Sequence, residues 1–199
     1  MKILNERVRM SQRKSHSRKL KKQFITRWSP RSFMHKDVEI ADLEALFEAA
    51  RWAPSCFNEQ PWMFVYAKKQ DDLKRMQSIL VDSNQVWANH APVLIAVFAR
   101  RNFNSTGQEN EWAAYDTGAA WMSLCLQAHA MGMICHAMGG FKANEIYDVL
   151  NVDQEKYQAI CVVAVGYQGE KENLPENLRE KEGPSQRQPV EAFTFEGKF

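Results

Sequence analysis

One stretch of this chain decides its fold: Ala53-Pro54-Ser55-Cys56-Phe57-Asn58-Glu59-Gln60-Pro61-Trp62, called here the proline-flanked loop. Apolar residues recur at helical spacing from residue 40 to residue 52, and Trp62 opens an apolar run typical of a strand. Pro54 cannot continue the helix, because it has no amide hydrogen and its ring clashes with the preceding turn. Between the prolines, two carboxamides can both donate and accept, which suits a heterocycle with a mixed polar edge. A plain polar connector would have the same residues, so the loop alone leaves both interpretations open.

Three further motifs accompany the loop in a fixed order. The arginine stretch, Arg27-Trp28-Ser29-Pro30-Arg31, lies upstream, whereas Gly139-Gly140-Phe141 and Arg187-Gln188-Pro189 lie downstream. Together the four motifs resemble those of the nitroreductase family of FMN-dependent oxidoreductases, from about Arg27 to Glu191. The loop is the most specific of them, and the Gly-Gly turn alone would be a weak signal.

The resemblance implies one non-covalent FMN per site. Guanidinium groups bind a phosphate bidentately, and a Gly-Gly turn lets the main chain approach a flavin ring closely. The expected cofactor-binding residues are Arg27, Trp28, Ser29, Arg31, Pro54, Ser55, Cys56, Asn58, Gln60, Asn84, Met138, Gly139, Gly140 and Arg187. Asn84 fits a surface turn equally well. Trp87 stands where some relatives have a lysine, which would leave the ring edge less charged.

Cysteine and histidine positions favour neither a metal site nor covalent catalysis. Cys125 and His129 would share one helix face, but two ligands are too few for a structural zinc site. Cys56 has no histidine near it in sequence to act as a base. We therefore expect no metal and no catalytic side chain, because in hydride transfer the cofactor performs the chemistry.

Length and charge favour one domain with a basic N-terminal extension. A chain of 199 residues can bury one core, and 26 basic against 24 acidic residues predict no nucleic-acid partner. The basic residues crowd residues 7–27; a nucleic-acid arm is one interpretation, and a solvated, frayed terminus is the commoner one. We expect an extension over residues 1–23 and an FMN-binding domain over residues 24–199. Without a signal peptide or membrane span, a cytoplasmic protein is expected.

The pattern of elements predicts an α+β fold, since long helices are interspersed with few strands and no regular βαβ alternation occurs. We expect a mainly antiparallel sheet of about four strands with helices on both faces. The expected strands cover residues 62–66, 92–99 and 157–167, with residues 192–195 alternating as an edge strand would. The expected helices cover residues 40–52, 71–80 with Asp71 as N-cap, 111–131 ended by Gly132, and 142–150. Residues 134–141 are interpreted as a turn.

Two features predict a domain-swapped homodimer. The helix over residues 111–131 is apolar over most of its circumference, and the C-terminal arm (residues 169–199) is too poor in apolar residues to fold alone. In the family the flavin lies between chains. The resemblance thus implies that the proline-flanked loop comes from one subunit and Gly139, Gly140 or Trp112 from the other.

The resemblance implies that NAD(P)H reduces the flavin and that a small acceptor, such as a nitroaromatic or a quinone, then takes the electrons in a ping-pong reaction. The polar segment of residues 100–110 is long enough to act as a lid. Other chemistries on the same fold stay open: dehalogenation, oxidation of peptide heterocycles and flavin breakdown. A non-enzymatic, basic-tailed interaction protein is the alternative from a different class.

Overall fold

The computed structural model describes residues 13, 15 and 17–199. Most of the expected extension over residues 1–23 therefore lies outside the described residues. The helices are α1 (Lys22–Thr26), α2 (Ile40–Arg51), α3 (Gln70–Ser78), α4 (Asp82–Ala88), α5 (Ala113–Ala130), α6 (Ile146–Leu150) and α7 (Glu176–Arg179). The strands are β1 (Trp62–Ala67), β2 (Val93–Arg100), β3 (Ile134–Met138) and β4 (Tyr157–Gly166). Among these helices, none is both long and apolar enough to cross a bilayer.

The four strands form one antiparallel sheet in the order β1-β2-β4-β3, which confirms the predicted fold class. Strand β2 is buried along its whole length except at Arg100, as its unbroken apolar sequence predicted. Strands β1 and β3 are the two edges of the sheet. The segments that lead into and out of these edges are therefore far apart within one protomer.

Helices cover both faces of the sheet, because successive residues of β2 point to opposite sides. Ile95 and Val97 face α2 and α5, where Leu46 and Leu124 complete one apolar cluster. Leu94, Ala96 and Phe98 face the other side, where α3, α4 and α6 contribute the second cluster. The side chains that these three helices bury there include Met76, Trp87 and Ile146.

The fourth strand is not the one expected. Residues 134–138 form β3 rather than a turn, and their Ile-Cys-His-Ala-Met sequence lacks the β-branched alternation that marks most strands. Residues 192–195 form no strand within the described protomer. Val190–Ala192 is a single 3₁₀ turn, and Phe193 and Phe195 are exposed.

Helix boundaries agree with expectation, with three corrections. Helix α5 ends before Gly132, whose φ of 77° is the left-handed conformation predicted for that position. Helix α3 begins at Gln70 with Lys69 as its N-cap, so Asp71 lies in the first turn, where a negative charge still favours the helix dipole. Helix α6 covers only Ile146–Leu150, and α4 is a helix that the expected elements did not include.

Candidate functional site

The arginine stretch lies beside the edge strand β3. The Nδ1 atom of His136 is 3.0 Å from the carbonyl oxygen of Pro30, and Arg27 Nη1 donates to Ser29 Oγ at 3.3 Å. The ring of His136 lies 4.5 Å from the ring of Trp87, measured between centroids. Trp28 is half-buried in this stretch. The arginine stretch, β3 and α4 therefore meet at one edge of the sheet.

Arg13, which the sequence analysis did not single out, joins this edge to the C-terminal arm. Its guanidinium donates to the carbonyl oxygens of Ile25 at 2.7 Å, Arg27 at 3.0 Å and Ser185 at 2.9 Å. Burial lowers the pKa of Arg13, and the positive charges of Arg187 and Arg27 lower it further. Arg13 thus lies close enough to both other guanidinium groups to be repelled by them, and an anion bound among them would relieve that repulsion.

Arg31 has a partner that no motif predicted. The Oε1 atom of Glu182 accepts a hydrogen bond from the Arg31 amide at 2.7 Å, and its Oε2 atom lies 3.4 Å from the Arg31 guanidinium. Glu182 is buried, so this carboxylate fixes the backbone of the stretch at residue 31. A phosphate bound by Arg31 would share the guanidinium with this carboxylate.

The Gly-Gly turn follows β3 and contacts α4. Asn84 Nδ2 donates to the carbonyl oxygen of Gly140 at 2.9 Å, so the structure places this side chain against the turn itself. A Cβ atom on Gly140 would lie 2.7 Å from Asn84 Nδ2 and 2.9 Å from Val81 Cγ2, whereas one on Gly139 would meet no described atom within 4 Å. Met138 is buried in the core, so only its main chain can face the space beside Gly139.

This contrast makes a prediction about the two glycines. Gly140→Ala is expected to lower the free energy of unfolding by about 1–3 kcal/mol, because Asn84 and Val81 must shift. Gly139→Ala is the matched control and is expected to stay within about 0.5 kcal/mol of the wild type. Urea unfolding of the cofactor-free proteins measures both values. Equal losses in the two variants would show that the close approach at Gly140 has no energetic effect.

Trp87 is a core residue of this protein. It is 2% exposed, and its ring stacks on Phe33 with centroids 6.3 Å apart and planes inclined by 7°. In this protein the indole ring of Trp87 packs against the ring of His136 and gives it an apolar support.

The proline-flanked loop closes on itself through its polar groups. Ser55 Oγ accepts from the Gln60 amide at 3.0 Å, and Gln60 Nε2 donates to the carbonyl oxygen of Asn58 at 3.0 Å. The Cys56 amide donates to Oδ2 of Asp116, a buried carboxylate on α5, at 3.0 Å. Pro54 is exposed and follows the end of α2. These bonds give the loop one defined conformation.

That conformation contains three left-handed residues that are not glycine: Phe57, Asn58 and Gln60, with φ of 51°, 57° and 49°. Such residues cost of order 1–3 kcal/mol each and persist where surrounding contacts fix them. Sequence motifs do not reveal these angles. Strain of this kind is typical of a site whose side chains must point in set directions.

Glu59 links the proline-flanked loop to residues 100–110, the expected lid. Its Oε1 atom accepts from Arg100 Nη2 at 2.7 Å and from the Asn104 amide at 2.6 Å. The rings of Phe57 and Phe103 lie edge to face at 6.2 Å, and Phe57 is 89% exposed. The segment of residues 100–110 therefore rests on the loop and presents an aromatic ring beside it.

The structure places the arginine stretch against β3, which leads into the Gly-Gly turn, and Arg13 links the stretch to the arm that carries Arg187. It does not bring the proline-flanked loop to them. The loop leads into β1 and the turn leaves β3, at opposite edges of the sheet. Three strand spacings separate these edges, which is about 14 Å. One protomer alone therefore holds two halves of the expected site.

The buried thiols and His129 contribute no metal site in the described part of the chain. His129 Nε2 lies 2.7 Å from Thr26 Oγ1, and burial followed by the charge of Arg27 lowers the pKa of His129. A hydrogen bond to the Cys125 thiol and burial raise the pKa of Cys135. Within residues 13, 15 and 17–199, no three His, Cys, Asp or Glu side chains cluster as metal ligands would.

Comparison with known proteins agrees with this architecture. The model of the nitroreductase family matches residues 25–86 and 67–167. A protein of Archaeoglobus fulgidus named as an NADH dehydrogenase or NAD(P)H nitroreductase is 25% identical over 150 residues, which are 73% of this chain and 83% of that protein. The oxygen-insensitive NADPH nitroreductase of Helicobacter pylori is 23% identical over 194 residues, covering 81% and 88%.

A crystal structure described as an oxidoreductase containing FMN superimposes with a TM-score of 0.89 at 37% identity, over 94% of this chain and 96% of that one. The fold and these relatives define the class as an oxidoreductase. Within that class, the chain belongs to the nitroreductase family.

Proposed function

We propose that residues 24–199 form an FMN-dependent oxidoreductase that accepts a hydride from NAD(P)H and passes electrons to a small acceptor, such as a nitroaromatic or a quinone, in a ping-pong reaction. One observation carries the proposal. In a chain of the nitroreductase family, Arg13 hydrogen-bonds both to Arg27 and to Ser185, two residues from Arg187, and the arginine stretch lies against β3, the strand that leads into the Gly-Gly turn.

The residues of this edge suit FMN. Arg27, Ser29 and Arg187 would hold the dianionic phosphate, for which a guanidinium fork is the best-matched donor. Gly139 is exposed and has open space where a Cβ would stand, so a flat ring can lie against its main chain. The carboxamides of Asn58 and Gln60 are exposed and would serve the polar edge of the ring.

FMN, when bound, supplies the site that accepts and donates the hydride. The chain binds it, orients it and keeps water away from it. Backbone amides of the Gly-Gly turn would stabilise negative charge that develops on the ring. The aromatic side chains of Phe57 and Phe103 beside the loop would give a flat acceptor an apolar face.

We further propose that the working unit is a homodimer, in which the proline-flanked loop of one protomer completes the arginine-rich edge of its partner. The opposite positions of the two halves in one protomer support this. So do the exposed Trp52, Trp112 and Tyr115, which are 73%, 54% and 75% exposed near the loop and the start of α5. Large aromatic side chains are enriched in protein interfaces.

The proposed homodimer has a defined mass in solution. Light scattering of the FMN-loaded protein at low micromolar concentration is expected to give twice 23.0 kDa, because neither half-site is complete alone. A mass of 23.0 kDa with FMN bound would contradict the shared site.

Anaerobic mixing with NADH and with NADPH tests the proposed activity. The visible absorbance of the bound flavin should bleach with at least one nucleotide, and a nitroaromatic or quinone should restore it after the nucleotide is exhausted. A panel that includes a halogenated aromatic separates dehalogenation from the proposed acceptors. Flavin that neither nucleotide reduces would contradict the proposal.

A further inference from the structure

Arg13 belongs to the N-terminal segment, where the sequence suggested a frayed basic extension or, less commonly, a nucleic-acid arm, yet its guanidinium contacts two distant parts of the chain. We propose that Arg13 is a positioning residue that completes the phosphate end of the FMN site by clamping the segment of Ile25 and Arg27 to the C-terminal arm at Ser185. This inference rests on the proposed assignment of Arg27 and Arg187 to the FMN phosphate.

The hydrogen bonds define the clamp. Arg13 Nη1 bridges the carbonyl oxygens of Ile25 and Arg27 at 2.7 and 3.0 Å, and its Nε atom donates to the carbonyl oxygen of Ser185 at 2.9 Å. The planar guanidinium holds its donors in a fixed geometry, so these bonds also fix the distance between the two segments. Residues 13 and 185 are 172 positions apart, so the contact is not a local turn.

Arg187 depends on the same clamp. Within the described chain, its guanidinium hydrogen bonds go to residues 185 and 186, including one to Ser185 Oγ at 2.8 Å. Ser185 in turn is held by Arg13. Arg187 is therefore connected to Arg27 through Ser185 and Arg13. The loss of Arg13 frees Ser185 and Arg187 from the segment of Ile25 and Arg27, although Glu182 of the arm still binds Arg31.

The clamp also concentrates positive charge. Burial, and then the charges of Arg187 and Arg27, lower the pKa of Arg13, so Arg13 is close enough to both guanidinium groups to be repelled by them. A dianion bound among these guanidinium groups would attract each of them and so offset the repulsion. Arg13 and Arg187 also line a cavity of about 720 Å³ with Phe24 and Phe193, so these cations are reachable from solvent.

The test compares FMN with riboflavin, which lacks the phosphate. In fluorescence-quenching titrations of the cofactor-free full chain, Arg13→Ala is expected to weaken FMN by about tenfold or more and to leave riboflavin within about twofold of the wild type. Arg13→Lys keeps the charge but loses the fork, so an intermediate loss is expected. Arg18→Ala is the matched control, because Arg18 is exposed on the same segment.

FMN binding by Arg13→Ala at wild-type strength would overturn the inference, as would equal losses for FMN and riboflavin, which would indicate a purely structural role. If Arg13→Ala does not fold, the same comparison with Arg13→Lys decides. A wild type that binds no FMN would refute the proposed cofactor instead. In that case inorganic phosphate replaces FMN as the probe. It is expected to raise the melting temperature of the wild type more than that of Arg13→Lys. Equal increases in melting temperature would overturn the role of Arg13.

Discussion

Arg27→Ala is expected to weaken FMN binding by about 10- to 150-fold, the equivalent of losing about 1.5–3 kcal/mol of hydrogen bonding to a charged group. Arg27 is central to the arginine-rich edge: its carbonyl oxygen binds Arg13, its guanidinium donates to Ser29, and its charge acts on both Arg13 and His129. A titration of the cofactor-free protein with FMN measures the effect.

The matched control for Arg27→Ala is Arg101→Ala. Arg101 is also an arginine with one side-chain hydrogen bond, to the carbonyl oxygen of Gln154, but it is exposed just beyond β2, at the other end of the sheet. The Arg101→Ala variant is expected to bind FMN as tightly as the wild type does. If both variants lose affinity equally, general loss of positive charge explains the result and the assigned phosphate site is wrong.

The second large effect concerns acid stability and comes from His136. Burial, together with the nearby charges of Arg31 and Arg27, lowers the pKa of His136 from 6.5 to about 4. The hydrogen bond to Pro30 raises the pKa and offsets only part of this decrease. Between these values the unfolded chain binds a proton that the folded chain does not, so stability falls as pH falls through this window and is unaffected above it. The expected contribution is about 3 kcal/mol, from 1.36 kcal/mol per unit of pKa.

The measurement is urea unfolding of the wild type and His136→Asn at several pH values from neutral to acid. Asparagine can donate to the carbonyl oxygen of Pro30 but does not titrate, so the variant should lose less stability than the wild type as pH falls. His90→Asn is the control, because His90 is exposed, and it should follow the wild type. Parallel curves for the wild type and His136→Asn would show that the histidine is not held neutral by the fold.

The elements that the sequence predicted well are those whose pattern is strong and local. Helix α5 has a long apolar pattern with Gly132 as its stop, and β2 is apolar throughout because helices cover both of its faces. Strand β3 was missed, because an edge strand of five residues that lacks β-branched alternation has no strong signal. The motif of the proline-flanked loop indicated a binding segment, but not the left-handed angles of Phe57 and Asn58.

The contacts that organise the candidate site are long-range, and a single sequence does not carry them. Arg13 bonds to Ser185, and Arg31 bonds to Glu182 across 151 positions; no motif marks Arg13, Ser185 or Glu182. Asn84 is an expected cofactor contact or surface-turn residue, and its amide donates to the Gly140 carbonyl oxygen and supports the turn. Only the folded chain shows which polar groups meet.

The central claim, one cofactor held by two protomers, is tested most directly by a mixed dimer. One partner carries Arg27→Ala; the other carries Asn58→Gly and Gln60→Gly, which remove both carboxamides at backbone angles that glycine accepts freely.

Each homodimer is expected to bind FMN poorly. The mixed dimer, co-expressed with two affinity tags, should contain one intact and one doubly defective site. Recovery of one tight FMN per mixed dimer is the predicted result, and FMN binding no better than in either homodimer would contradict the shared site.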